Sequence, residues 1–158
     1  MKYEICKLSR VSILELKKVS DILYLCGKDM AKKYDLHHWD NSYIKNWVIV
    51  LMCAMKNEIY LVYCDKKPVA TFQTHNEKNA LRFQKLATVP EVSGAGIGSF
   101  CLQKIEGLAR KNTCDEVFCE VYDKSEYAKI FYEHRGYTVY GTTETLKYSE
   151  LKMKKIIR

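Results

Sequence analysis

The stretch Val89-Pro90-Glu91-Val92-Ser93-Gly94-Ala95-Gly96-Ile97-Gly98-Ser99 constrains this chain more than any other part of it. An apolar, strand-like segment precedes it and a segment of helical spacing follows, so a strand runs almost directly into a helix. Three glycines alternate over five residues, 94 to 98. Without Cβ atoms they admit unusual dihedrals and let a ligand approach the backbone closely. The first N–H groups of a helix lack internal partners, and its dipole favours anions there. A pyrophosphate is the natural guest; a tight strand–helix turn with no ligand is the alternative. The stretch is not a Walker loop, because it lacks Gly-Lys-[Ser/Thr]. Nor does it open a dinucleotide-binding βαβ unit, because the strands before it read as antiparallel hairpins.

The surrounding pattern supplies the architecture. Residues 3–8 read as a strand. Val11 to Gly27 carries Ile13, Leu16, Val19, Ile22, Leu23 and Leu25 near helical spacing, with Gly27 as the expected stop. Tyr34 to Trp39 reads as a loop. Asn41-Ser42 is a cap for a helix running to Met55, although Val48-Ile49-Val50 is β-branched. Residues 58–64 and 68–75 form a hairpin around Asp65-Lys66-Lys67, and 76–79 is another turn. A strand over 81–89 leads to the glycine turn. Then come a helix over 99–111, a strand over 117–122, a helix over 125–135 stopped by Gly136, and strands over 137–140 and 146–153. Antiparallel strands followed by strand–helix–strand–helix make a mixed α/β layer fold in a single domain over 1–158.

Composition narrows the function classes. At 158 residues, 47% apolar and 28% charged, the chain is of ordinary globular kind, and two prolines argue against linkers. The net charge of +7 suits an anionic partner. The charges are dispersed, however, and the densest cluster is the Lys152, Lys154, Lys155, Arg158 tail, so nucleic acid is not the expected partner. The longest apolar run, Trp47 to Met55, is too short for a bilayer, which needs ~20 residues. It reads as a buried helix or strand, and no membrane partner is expected. The N-terminal residues carry no apolar signal core. The seven cysteines are odd in number and lack C-x-x-C spacing, so they read as reduced thiols of a cytoplasmic protein with no metal and no disulfide.

Pro90 and Ser93-Gly94-Ala95-Gly96-Ile97-Gly98 resemble the Q/R-x-x-G-x-G/A signature of the GCN5-related N-acetyltransferases, the GNAT superfamily. Gly96 and Gly98 fall on its second and third fixed positions, while Ser93 replaces the usual Gln or Arg. Downstream, Ala128-Lys129-Ile130-Phe131-Tyr132-Glu133-His134-Arg135-Gly136-Tyr137 resembles the family's A-x-x-(apolar)-Tyr-Glu-x-x-Gly-(aromatic) segment. The resemblance covers nearly the whole chain. It implies a central, mostly antiparallel twisted sheet of about seven strands flanked by about four helices, and transfer of acetyl from acetyl-CoA to an amine. It places the cofactor on Leu86, Ala87 and Thr88 of the preceding strand and on Ser93, Gly94, Ala95, Gly96, Ile97, Gly98 and Ser99. Ser125 stands where the family often has an Asn that contacts coenzyme A.

In the family the tyrosine matched by Tyr132 sits near the thioester sulfur. Amine attack gives a tetrahedral intermediate whose collapse expels a thiolate, and a phenol of pKa ~10 can protonate it. Tyr132 is therefore the expected general acid. The attacking amine must be neutral, so a base is needed. Glu120 is the candidate, because some family members that acetylate protein N-termini carry a Glu at the matching place. Strand alternation puts it opposite Val117, Cys119 and Val121. His75 is a second candidate. His38 and Trp39, between the first two helices, fall where the family builds one wall of the acceptor groove, and aromatic rings there would suit a cationic amine. The adjacent pair His37-His38 has poor spacing for chelation. A silent acyl-CoA-binding regulator is the alternative function, and a dinucleotide-dependent oxidoreductase the more remote one. The acceptor is not legible, and a homodimer stays open beside a monomer.

Overall fold

Strand and helix periodicity together produce seven strands and four α-helices in the computed structural model, which describes residues 2–9 and 12–158. In chain order they are β1 (Tyr3–Lys7), α1 (Ile13–Tyr34), a 3₁₀ turn (Ser42–Lys45), α2 (Trp47–Ala54), β2 (Glu58–Cys64), β3 (Lys67–Glu77) and β4 (Ala80–Thr88). A second 3₁₀ turn (Pro90–Val92), α3 (Ile97–Lys111), β5 (Glu116–Tyr122), α4 (Glu126–Glu133), β6 (Thr138–Glu144) and β7 (Ser149–Ile156) complete the chain. The strand order is β1-β2-β3-β4-β5-β7-β6. The β1–β2, β2–β3, β5–β7 and β6–β7 ladders are antiparallel, and β4–β5 is parallel. This is the expected fold class. The chain divides into two compact units. One runs to His75 and resumes over Lys85–Gln103; the other comprises Asn76–Gln84 and Lys104–Arg158.

In the first unit, α1 buries Leu16, Val19, Ile22, Leu23 and Met30, an i, i+3, i+4 stripe. Each such side chain contributes roughly 1.5–3 kcal/mol by leaving water. Ser12 caps the helix by accepting from Glu15 N at 3.3 Å, while Glu15 Oε2 accepts from Ser9 N at 3.1 Å. The expected start at Val11 lies outside the described residues. The expected stop at Gly27 is wrong: the helix continues to Tyr34 and ends on Asp35 in the left-handed region, φ 55°. Gly27 is there for a neighbour instead. A Cβ on it would lie 2.5 Å from the Trp39 carbonyl oxygen. Gly27→Ala should therefore lower stability by about 1–3 kcal/mol, the usual scale of overpacking. An open helix site would instead gain up to about 1 kcal/mol from the same change. A raised Tm in thermal unfolding would contradict the close-approach account.

The helix expected over 41–55 is broken in two. Asn41 Oδ1 accepts from Tyr43 N and Ile44 N at 3.1 and 3.3 Å, capping the 3₁₀ turn. Asn46 Oδ1 then accepts from Val48 N at 3.0 Å and starts α2 afresh. The apolar run is only half-buried: Val50 and Ala54 face inward, while Val48, Met52 and Met55 are exposed.

In the second unit, Val117, Cys119 and Val121 of β5 alternate inward with Leu81 and Phe83 of β4 and with Ile105 and Ala109 of α3. Tyr137 is fully buried and donates its O–H to Glu106 Oε1 at 3.2 Å; Lys155 Nζ donates to the same oxygen at 3.0 Å. Burial, with Glu106 adding to it, drives the Tyr137 phenol far above its ordinary pKa, so it stays a neutral donor. α4 ends at Glu133, two residues short of the expected end, and the chain turns away at Gly136, φ +91°, where Tyr137 N reaches back to the Tyr132 carbonyl at 3.1 Å. β6 is longer than expected, and β7, of the expected length, starts three residues later. Leu146 is fully exposed in a turn that Thr145 Oγ1 organises by accepting from Lys147 N and Tyr148 N.

Candidate functional site

The glycine turn is the most exposed part of the first unit's candidate site. Pro90 opens a 3₁₀ turn that Ser93 ends, and Gly94 and Gly96 take φ +82° and +83°. Those angles are closed to most side chains, which is why glycine stands at both positions. Ala95 N donates to Val92 O at 3.1 Å, and Tyr3 Oη donates to Ala95 O at 3.2 Å, so the loop is pinned from two directions. Tyr3 also lies on Phe100, with centroids 5.1 Å apart. A Cβ on Gly94 or Gly96 would meet nothing within 4 Å, so the space beside the backbone is open. Phe100 N makes the helix's first backbone bond, to Gly96 O at 3.0 Å. The N–H groups of Ile97, Gly98 and Ser99 therefore precede the ladder. No acidic residue occupies the first turn of α3. The arrangement has the donors, the dipole and the room that a phosphate group needs.

β4 leads into this turn. Within it Lys85 has φ +51°, and the inside–outside alternation lapses over Gln84 to Leu86, as at a bulge. Ala87 is buried, while Leu86 and Thr88 are half-buried. Thr88 offers its backbone to the Cys26 thiol, whose pKa is pushed up to about 11, chiefly by burial. His38 and Trp39 follow the C-terminus of α1, with ring centroids 5.7 Å apart. Burial lowers the His38 pKa, so its imidazole is neutral at physiological pH. His37 moves the other way, because Asp35 and Asp40 accept hydrogen bonds from its ring at 2.7 and 3.3 Å. His75 is exposed on β3, with Nδ1 3.0 Å from the Lys56 carbonyl.

In the second unit, the Tyr132 ring is half-buried against Phe83 and Tyr137, at centroid distances of 5.7 and 5.8 Å. These two aromatic rings fix its position from the core side. Glu120 is directed elsewhere: its Oε2 accepts from Arg82 Nε at 3.1 Å. Arg82 and Phe83 are consecutive on β4 and point to opposite faces. Glu120 and Tyr132 are therefore on opposite faces of β4, and the structure does not bring them together on one. The parallel ladder between β4 and β5 covers Ala80–Glu116, Leu81–Val117 and Arg82–Phe118. On its other side β5 pairs with β7 along its full length, Glu116–Ile156 to Tyr122–Glu150. Ser125 is buried at the start of α4, its carbonyl accepting from Lys129 N at 3.1 Å.

Around Glu120 lies an open groove of about 590 Å³, lined among others by Arg82, Glu116, Tyr140 and Lys152. Glu116 is paired with Lys154 at 3.3 Å. Next to the groove, burial and the Glu120 charge raise the Glu150 pKa. Sequence reasoning missed Arg82, Glu150 and Lys85. Glu150 and Lys152 alternate along one face of the last strand, a visible signal. Arg82 and Lys85 gave none, because their partners depend on strand register and helix placement. Among the described residues no group of three or more His, Cys, Asp or Glu side chains is placed to hold a metal, and all seven cysteines are free thiols. No described helix is long and apolar enough to cross a membrane.

Residues 56–139, more than half of the chain, match the family model for the acetyltransferase (GNAT) domain. The chain belongs to the GNAT acetyltransferase family. It is an acyltransferase of that family, and solved structures agree on the fold. The PaiA N-acetyltransferase of Thermoplasma acidophilum, solved in complex with coenzyme A, matches with TM-score 0.78 at 20% identity, over 99% of each chain. The ribosomal-protein alanine N-acetyltransferase of Escherichia coli matches with TM-score 0.76 at 13% identity, over 99% of this chain and 94% of that one. An aminoglycoside 6'-acetyltransferase matches with TM-score 0.74 at 14% identity, over 98% and 97%. No curated protein matches this acetyltransferase significantly in sequence.

Proposed function

We propose that this GNAT acetyltransferase moves the acetyl group of acetyl-CoA to a primary amine of a small molecule or peptide, by direct attack through a tetrahedral intermediate. One observation carries the reading: two left-handed glycines open α3 beside empty space, with no acidic residue in the helix's first turn. Residues Ser93 to Ser99 would take the pyrophosphate, and the β4 backbone from Leu86 to Thr88 the pantetheine arm. Ser125, buried at the start of α4, would offer its hydroxyl to coenzyme A in place of the family's Asn.

In this reading the amine attacks the thioester carbonyl and Tyr132 protonates the departing thiolate. Glu120 takes the amine proton. Its bond to Arg82 uses one acceptor direction, and a carboxylate has about four. His38 and Trp39 form part of the acceptor wall, with His75 as a more distant candidate. The free cysteines suit a reducing compartment, here the cytoplasm.

The test is release of coenzyme A thiol with polyamines, amino acids, aminoglycosides and peptide N-termini as acceptors. Amine-dependent release is the expected result, with Glu120→Gln lowering kcat/KM by about 10²-fold or more. Saturable acetyl-CoA binding without release for any amine would replace this reading with that of a silent binder.

A further inference from the structure

Cys53 is on α2 and Lys85 on β4, 32 residues apart in sequence, yet Lys85 Nζ donates a hydrogen bond to Cys53 Sγ at 3.4 Å. Both side chains are half-buried. Lys85 reaches the sulfur from a left-handed backbone, φ +51°, at the irregular point of β4. The neighbouring residues Leu86 to Thr88 are those assigned above to the pantetheine arm, so this amine and thiol stand next to the strand segment that would carry the thioester.

We propose that Lys85 and Cys53 form a self-acetylation site, in which Cys53 Sγ accepts acetyl from acetyl-CoA and passes it to Lys85 Nζ. The inference rests on the acetyl-CoA reading of this chain. In the first step the Cys53 thiolate attacks the thioester carbonyl, the carbonyl–sulfur bond to coenzyme A breaks, and the Cys53 proton ends on the departing thiol. In the second, Lys85 gives one proton to water and its neutral amine attacks the S-acetyl carbon. A carbon–nitrogen bond forms, the carbon–sulfur bond breaks, and Cys53 returns as a thiol. No oxidant or further reactant is needed. An amine 3.4 Å from the sulfur is within near-attack reach of a carbonyl carbon bonded to that sulfur.

Burial pushes the Cys101 thiol up to about 12 and raises that of Cys119 as well, which disfavours the thiolate form of both. Acetylation would also abolish the Lys85 charge.

The full chain, incubated with acetyl-CoA and no acceptor, is followed by peptide mass mapping, with thermal unfolding of the same sample with and without coenzyme A. Acetyl should accumulate on Lys85. Cys53→Ser should slow it about 10-fold or more, the loss of a positioned relay. Lys85→Arg should leave acetyl on Cys53 as a hydroxylamine-labile thioester. A coenzyme A-dependent thermal shift without acetyl on Lys85 overturns this inference alone. Equal rates in wild type and Cys53→Ser overturn the relay. Absence of both the shift and the acetyl overturns the acetyl-CoA reading with it.

Discussion

Tyr132→Phe should lower kcat by about 10²–10⁴-fold, the usual contribution of general-acid catalysis, with little change in acetyl-CoA affinity. The substitution removes one oxygen and keeps the ring that packs on Phe83 and Tyr137. The turn at Gly136 uses the Tyr132 backbone carbonyl and is indifferent to the hydroxyl. Fold and cofactor site should both survive, so the loss appears in turnover alone. Steady-state kinetics with an established acceptor, alongside calorimetric binding of acetyl-CoA, separate the two quantities. Wild-type turnover in the variant would leave catalysis to positioning of the reactants.

Coenzyme A should raise the Tm of the wild-type protein, and Gly96→Val should abolish that shift. The backbone there has φ +83°, where an L side chain costs about 1–2 kcal/mol and a β-branched one more. The residue is exposed and its Cβ would meet no protein atom within 4 Å, so the cost is local and the variant folds. The valine instead occupies the open space beside the N-terminus of α3. A smaller change, Gly96→Ala, should give an intermediate result. An unchanged coenzyme A shift in folded Gly96→Val would remove the glycine turn from the binding site.

Local chemistry explains which features could be read from the sequence. Gly94, Gly96 and Gly136 supply left-handed angles within turns whose partners are a few residues away, so the residue type alone announces them. The two faces of β5 follow from alternation, which correctly separates Glu120 from Val117, Cys119 and Val121. Gly27 misled because its reason is tertiary: it makes room for the Trp39 carbonyl. Asn46 restarts a helix that Asn41 had already capped, and an apolar run gives no warning of a second cap. Lys85 has no preference for the left-handed region, so the irregularity of β4 is imposed by the sheet and invisible in the residue. Arg82 meets Glu120 only because β4 and β5 are parallel in a register that no local pattern encodes. The opposite protonation tendencies of His37 and His38 depend on which of the two is buried, which adjacent identical residues do not announce.

Titration of the purified wild-type chain with acetyl-CoA, followed by calorimetry and thermal unfolding, tests the central claim most directly. One saturable site is predicted, with stabilisation of about 2.7 kcal/mol when free ligand reaches a hundred times Kd. Heat no greater than dilution, together with a Tm that does not move, would contradict it.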